Sequence, residues 1–332
     1  MVFLQRKALY NLIQLNLNRI ESGDLDMGKL QKWQTENYRD YPTEALFSRL
    51  SSLEIQISAQ DFETLGKGLE DPEQMLEKLV KEEEPLAQDQ VFLLIFELWR
   101  RIFPEKRTLS IFCDELDYQI TQHDLGHSSE IQDSLAYLQQ ILDEQVDNGL
   151  KPKEAFQLTQ VYCANDLESF LYDYTLSLVD QSDLGYASEL LEGFSPYLPD
   201  SIWFAYLVAR VKILDDLEEG YEKLEKVIKK ITKDTGGSLV EEILYYLANT
   251  GNHYLFTLLA KKTLLYLEFE TQLLEFIEIC YLHFDYLELK EPSLTLAEMF
   301  YNRPKKDPKN PISQADPYMS QLRSLLSQKL HM

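Results

Sequence analysis

Between residues 154 and 262 the chain repeats one plan: a helix, a short polar turn, a second helix, then another turn. In 171–199 the apolar stretch LYDYTLSLV meets the break DQSDLG, and YASELLEGF follows. Pro199 closes that unit, because proline cannot continue a helix. The next unit reads SIWFAYLVARVKIL, then the acidic turn DDLEEG, then YEKLEKVIKKI, and Thr235-Gly236-Gly237 ends it. A third reads LVEEILYYLA, NTGN and HYLFTLLAKKTLLYL. An earlier, weaker one reads IQDSLAYLQQILDEQV, DNGLKP and KEAFQLTQVY.

The units register against one another. Ala155, Ala187, Gly220 and Phe256 each enter a second helix, at spacings of 32, 33 and 36 residues. Leu142, Tyr174, Leu207 and Ile243, apolar positions within the first helices, keep the same spacings. A period in the thirties is the signature of stacked helical hairpins, each too small to bury its apolar side alone.

The layout resembles the tetratricopeptide-like (TPR-like) repeats. Phe204, Leu207 and Val211 stand where that family places large first-helix residues. Gly220, Leu224 and Val227 stand where it places a small, a large and a small residue in the second helix, and Pro199 stands at its closing proline. The chain departs from the family in its few consensus glycines and alanines, and in Val208, where a small residue is usual. The resemblance covers about residues 130–265 and implies an all-α fold: a right-handed α-solenoid of TPR-like hairpins, preceded by an N-terminal helical unit. It also implies a concave groove into which Tyr172, Asp173, Asp180, Lys212, Glu241, Tyr245 and Asn249 would point.

Composition fits such a fold. Hydrophobic residues make up 45% of the 332, enough for a globular core, and glycine and proline number only 12 each, which suits long helices with short connections. Thirteen of the 20 tyrosines lie between Tyr162 and Tyr286, inside the array. Tyrosine offers a broad apolar face and one polar tip, suited both to packing and to partner surfaces. The net charge of −24 repels phosphate backbones and anionic membranes, so neither nucleic acid nor membrane is an expected partner, whereas a basic protein or peptide is. Cys113, Cys163 and Cys280 are odd in number and far apart, which points to free thiols in a reducing compartment. With no targeting signal in MVFLQRKALYNLIQLNLNRI, a cytoplasmic location is the expectation.

The rest of the chain frames the array. Helical spacing predicts a helix over 2–20 and a second over 26–38, and Thr43 is placed to cap a third. The stretch 53–57 alternates apolar and polar residues as a short strand would. Asp71-Pro72-Glu73 starts a helix that runs into KEEEP at 81–85, a candidate linker. QDQVFLLIFELWRRIF at 88–103 is apolar on most sides and belongs at the centre of a domain spanning 1–125. The array then occupies 126–300, with a long helix at 271–289 and a shorter one capped by Ser293. Four prolines and the basic residues Arg303, Lys305, Lys306 and Lys309 mark 301–317 as an extended linker. The last segment, 318–332, is an amphipathic helix that either covers the end of the array or occupies its groove.

Two strings carry enzyme-like chemistry. His123-Asp124-Leu125-Gly126-His127 resembles the HD-superfamily phosphohydrolases, whose His–Asp pair helps hold metals that activate water on a phosphate ester. That resemblance would make His123, Asp124 and His127 metal ligands, but no histidine precedes His123 to supply the family's first ligand. The alternative is a helix end, stopped at Gly126. Asp215-Asp216-Leu217-Glu218-Glu219 matches the DDxxE string of class I terpene synthases, and Asn165-Asp166 with Ser169 and Asp173 approximates their second magnesium motif. Here the two stand in reverse order, only about 50 residues apart, and acids also start helices. No glycine-rich phosphate loop and no GxSxG occurs. The expectation is therefore a non-catalytic scaffold or adaptor without cofactor, holding a peptide or protein segment in the groove, in one version as a chaperone-like protein. A metal-dependent hydrolase is the second reading.

Overall fold

The computed structural model of the chain describes residues 13, 16, 17, 19, 20, 23, 30–80, 85–127 and 130–328. Among these residues there are sixteen α-helices and no β-strand, so the fold is all-α as the periodicity requires. The described part of 2–20 is helical; most of it, and the charged run at 81–84, lie outside the described residues.

The chain divides into two compact units, 1–174 with 192–199, and 175–191 with 200–332. The domain boundary expected after residue 125 falls inside the first.

In the first unit, α1 (Thr43–Ser52), α2 (Ala59–Gly66), α3 (Pro72–Leu79) and α4 (Pro85–Ile102) precede α5 (Leu109–Asp124), α6 (Ile131–Asp147) and α7 (Pro152–Tyr162). α4 is the centre, as its apolar run demands: α1 and α3 pack on it, and residues 91–99 are all buried. The one carboxylate in that run, Glu97, is held by Arg100 at 2.7 Å and by Arg101 at 2.6 Å. A buried charge persists only when paired and hydrogen-bonded in this way.

Three local expectations fail here. The described part of 26–38 is not an α-helix but short 3₁₀ turns, Lys32–Gln34 and Tyr38–Asp40, the second tied to α4 through Arg101, which donates to the carbonyls of Tyr38, Arg39 and Tyr41. Thr43 does not cap α1: it is the first helical residue, and its hydroxyl accepts from Arg101. Residues 53–57 are not a strand. Glu54 takes a left-handed conformation (φ 65°), and Ile55 donates back to Leu50, so this alternation belongs to a helix stop and its exit.

α8 (Leu167–Asp180) and α9 (Leu184–Phe194) each contribute residues to both units. The second unit continues as hairpins: α10 (Ile202–Asp215) with α11 (Leu217–Lys230), α12 (Gly237–Thr250) with α13 (His253–Thr263), and α14 (Glu270–Tyr286) with α15 (Lys290–Asn302). α11 also packs on α13, and α12 on α14, so second helix meets second helix and first meets first. The registered positions are interior: Ala155, Ala187, Gly220 and Phe256 are buried, as are Leu142, Tyr174, Leu207 and Ile243. Gly220 shows why the position is small. A Cβ there would lie 2.4 Å from the Ile213 backbone nitrogen, a clash with main chain that cannot move aside.

Residues 303–316 are not an open linker. Glu270 and Thr271 donate their N–H groups to the carbonyls of Asn310 and Pro308, Ile312 donates to Glu268, and Phe269 and Pro311 form an isolated antiparallel bridge. The segment therefore closes as a strap over the start of α14. Its root, Arg303, is buried and forks onto Glu270 and Asp316. Asp316 caps α16 (Pro317–Leu325), whose Met319, Leu322 and Leu325 are buried. Ser293 does not cap α15, which begins at Lys290 with Pro292 inside its first turn, where a missing N–H costs nothing.

Candidate protein-binding surface

The acid-rich turns that resemble enzyme motifs are helix caps. Asp216 accepts the N–H groups of Glu218 and Glu219 at 3.1 and 3.0 Å, and Asp166 accepts that of Ser169 at 3.1 Å. The buried Asp117, which belongs to no motif in the sequence, holds the α7–α8 turn by accepting from Ala164 and from the backbone and side chain of Asn165.

In the HDLGH string, Gly126 (φ 82°) donates to the His123 carbonyl and His127 donates to that of Gln122, both at 2.8 Å, closing the end of α5. The His123 ring lies edge-on to Tyr174, with centroids 5.1 Å apart, while Asp124 and His127 are exposed. Among the described residues no three His, Cys, Asp or Glu side chains converge as metal ligands would.

The expected groove residues separate into four groups. Tyr172 is buried at 4% exposure and does not face an open groove, because its position belongs to the packed side of α8. Asp180 and Lys212 are exposed or half-buried but engaged: Asp180 pairs with Arg210 at 3.1 Å, and Lys212 bridges Asp215 at 2.7 Å and Glu219 at 3.1 Å across the α10–α11 turn. Asp173 is exposed, its carboxyl raised by partial burial and by neighbouring Asp124.

Glu241, Tyr245 and Asn249 remain, and they do share a face. They stand four residues apart on α12, opposite the buried stripe of Leu239, Ile243, Leu244 and Leu247. Tyr245 and Asn249 are exposed and Glu241 is half-buried. Packing of α12 on α14 brings in two further acids. Partial burial and Glu275 raise the Glu241 carboxyl; partial burial, then Glu278, Glu275 and Glu241, raise the Tyr245 phenol. No described cation pairs with Glu241, Glu275 or Glu278; Glu275 only accepts from the Thr271 hydroxyl at 3.3 Å.

The surface deepens where α14 meets α15. A pocket of about 220 Å³ is lined by Ile277, Glu278, Tyr281, Leu296, Phe300 and Tyr301, among others. Tyr301 is 83% exposed and Phe300 40%, with their rings edge-to-face at 5.8 Å. Glu278, Tyr281 and the α15 aromatics were missed from the sequence. The period itself could have found the first, since one step of 33 residues from Tyr245 lands on Glu278.

The first unit contains a larger hollow, about 450 Å³, between α4, α5 and α6. Its cations are engaged: Arg100 pairs with Glu115 at 3.2 Å, Lys106 donates to the carbonyls of Gly66, Lys67 and Leu69, and Arg107 lies over the Tyr137 ring. The face of α12, α14 and α15 sets its acids beside the exposed rings of Tyr245, Phe300 and Tyr301.

No helix among the described residues is long and apolar enough to cross a membrane. Comparison with protein-family models, with curated proteins and with solved structures finds no match.

Proposed function

We propose that this protein is a non-catalytic scaffold or adaptor of the helical-repeat kind. Its hairpins stack as a TPR-like solenoid, and the first-helix face of α12 and α14, continued onto α15, holds a segment of a basic protein. The observation that carries this reading is a set of three carboxylates, Glu241, Glu275 and Glu278, without cationic partners among the described residues and beside exposed Tyr245, Phe300 and Tyr301. Partner surfaces combine such aromatic area with complementary charge, which steers encounter and rejects partners of the same sign.

The test is photo-crosslinking in the native cells. A crosslinking amino acid at position 245 is expected to capture a discrete basic protein that the same residue at exposed Lys226, on α11, does not. Identical capture at both positions, or none at 245, rejects the reading.

A further inference from the structure

We infer that the pocket between α14 and α15 receives a lysine or arginine side chain of the bound segment. This rests on the scaffold reading and specifies what the surface selects. The pocket has two kinds of wall. Ile277 and Leu296 lie buried beneath its floor, and half-buried Ala297 and Tyr281 give the apolar surface that suits the methylene stem of a long side chain. Tyr281, Phe300 and Tyr301 bring three aromatic rings to the same hollow, and Glu278 brings a carboxylate. Aromatic faces and a carboxylate together attract a cation, and the attraction grows as the cation loses water.

Charge decides between a cationic and a neutral occupant. Glu278 has no ion-pair partner among the described residues, and Glu275 and Glu241 stand near enough to raise the Tyr245 phenol together with it. A chain of net charge −24 adds to that field. A neutral side chain would fill the apolar part and leave the carboxylate unanswered. An acidic one would be repelled.

The probe is a fluorescein-labelled peptide of alternating lysine and alanine, titrated against the full chain by anisotropy. Its counterpart replaces the central lysines with norleucine, which has similar reach and no charge. The lysine peptide is expected to bind, and the norleucine peptide to bind about tenfold more weakly or worse. Glu278→Gln and Tyr301→Ala are each expected to weaken the lysine peptide about tenfold, with circular dichroism unchanged. Glu218→Gln removes the same charge from an exposed site on α11 and is expected to leave binding as it was. Equal binding of the two peptides, or binding indifferent to both pocket variants, overturns the inference, as does a loss in Glu218→Gln matching that in Glu278→Gln. Crosslinking at 245 separates the two claims: a protein still captured there with Glu278→Gln and Tyr301→Ala at full yield leaves the scaffold standing and removes the cation pocket.

Discussion

The imidazoles of His253 and His283 lie nearly parallel, 8° apart in plane, with Nδ1 of the first 3.1 Å from Nε2 of the second. His283 also stacks on Phe256 at 3.8 Å, and it is fully buried. This relationship joins α13 to α14 through groups that titrate.

Burial and the neighbouring His253 push the His283 imidazole down to about 4. Its folded value is therefore below its unfolded value of about 6.5, so the unfolded chain takes the proton first. Stability from this site is complete above about pH 6.5 and declines as pH falls toward about 4, by a total on the order of 3 kcal/mol. Urea unfolding followed by circular dichroism across that range is expected to show the decline. His283→Phe, which keeps a ring on Phe256, is expected to flatten it. An acid limb of unchanged size in the variant rules the assignment out.

Arg303 and Glu270 have side chains only 2% and 1% exposed. Arg303→Ala leaves a buried carboxylate unpaired and is expected to cost about 3–5 kcal/mol. Replacing both residues with methionine is expected to cost much less than the sum of the single changes, because no charge is stranded. Trypsin cleavage at Lys305, Lys306 and Lys309 should accelerate in Arg303→Ala, as the strap comes away from α14. Asp316, held below the usual carboxylate range chiefly by its hydrogen bond from Arg303, adds stability that is present above its unfolded value and lost as pH falls through its folded one.

Gly220 and Gly185 make opposite predictions for the same substitution. Gly220→Ala forces a methyl onto the Ile213 backbone and is expected to destabilise by about 1–3 kcal/mol. Gly185→Ala meets nothing within 4 Å inside α9 and is expected to stabilise by a few tenths of a kcal/mol, up to about 1. Thermal unfolding of the two variants side by side decides whether the α10–α11 hairpin is packed as closely as described.

Asp117 and Asp124, seven residues apart on α5, separate a structural carboxylate from an exposed one. Asp117→Ala orphans three donors at the α7–α8 turn and is expected to cost about 2–4 kcal/mol. Asp124→Ala changes an exposed residue and is expected to stay within about 0.5 kcal/mol of the parent. Elemental analysis of the purified protein is expected to give manganese, iron and zinc far below stoichiometric. Stoichiometric metal that disappears in His123→Ala would restore the hydrolase reading.

Much of the helical array could be read in advance. The breaks at Asp147, Gln181, Asp216 and Gly251 fall at or between the ends of the observed helices, because glycine, proline and short acids punctuate a helix through local backbone chemistry. The spacing of Leu207 and Ile243 marked core positions because a helical face repeats with the chain. The failures are equally specific. Residues 53–57 alternate like a strand, yet a left-handed turn at Glu54 leads out of α1, and the described residues hold no strand for it to pair with.

What the sequence alone determined is most of the helices and many of their ends, though not the helix Ala59–Gly66, since these follow from interactions within a few residues. What only the tertiary structure decided is which polar side chains remain available. Tyr172 and Tyr245 look alike as letters, but one is packed inside and the other is exposed. Arg303 looks like a linker charge until Glu270 and Asp316 close on it from 33 and 13 residues away. The pocket of Glu278 and Tyr301 exists only where α14 and α15 meet, because it depends on distances between helices that no local pattern encodes.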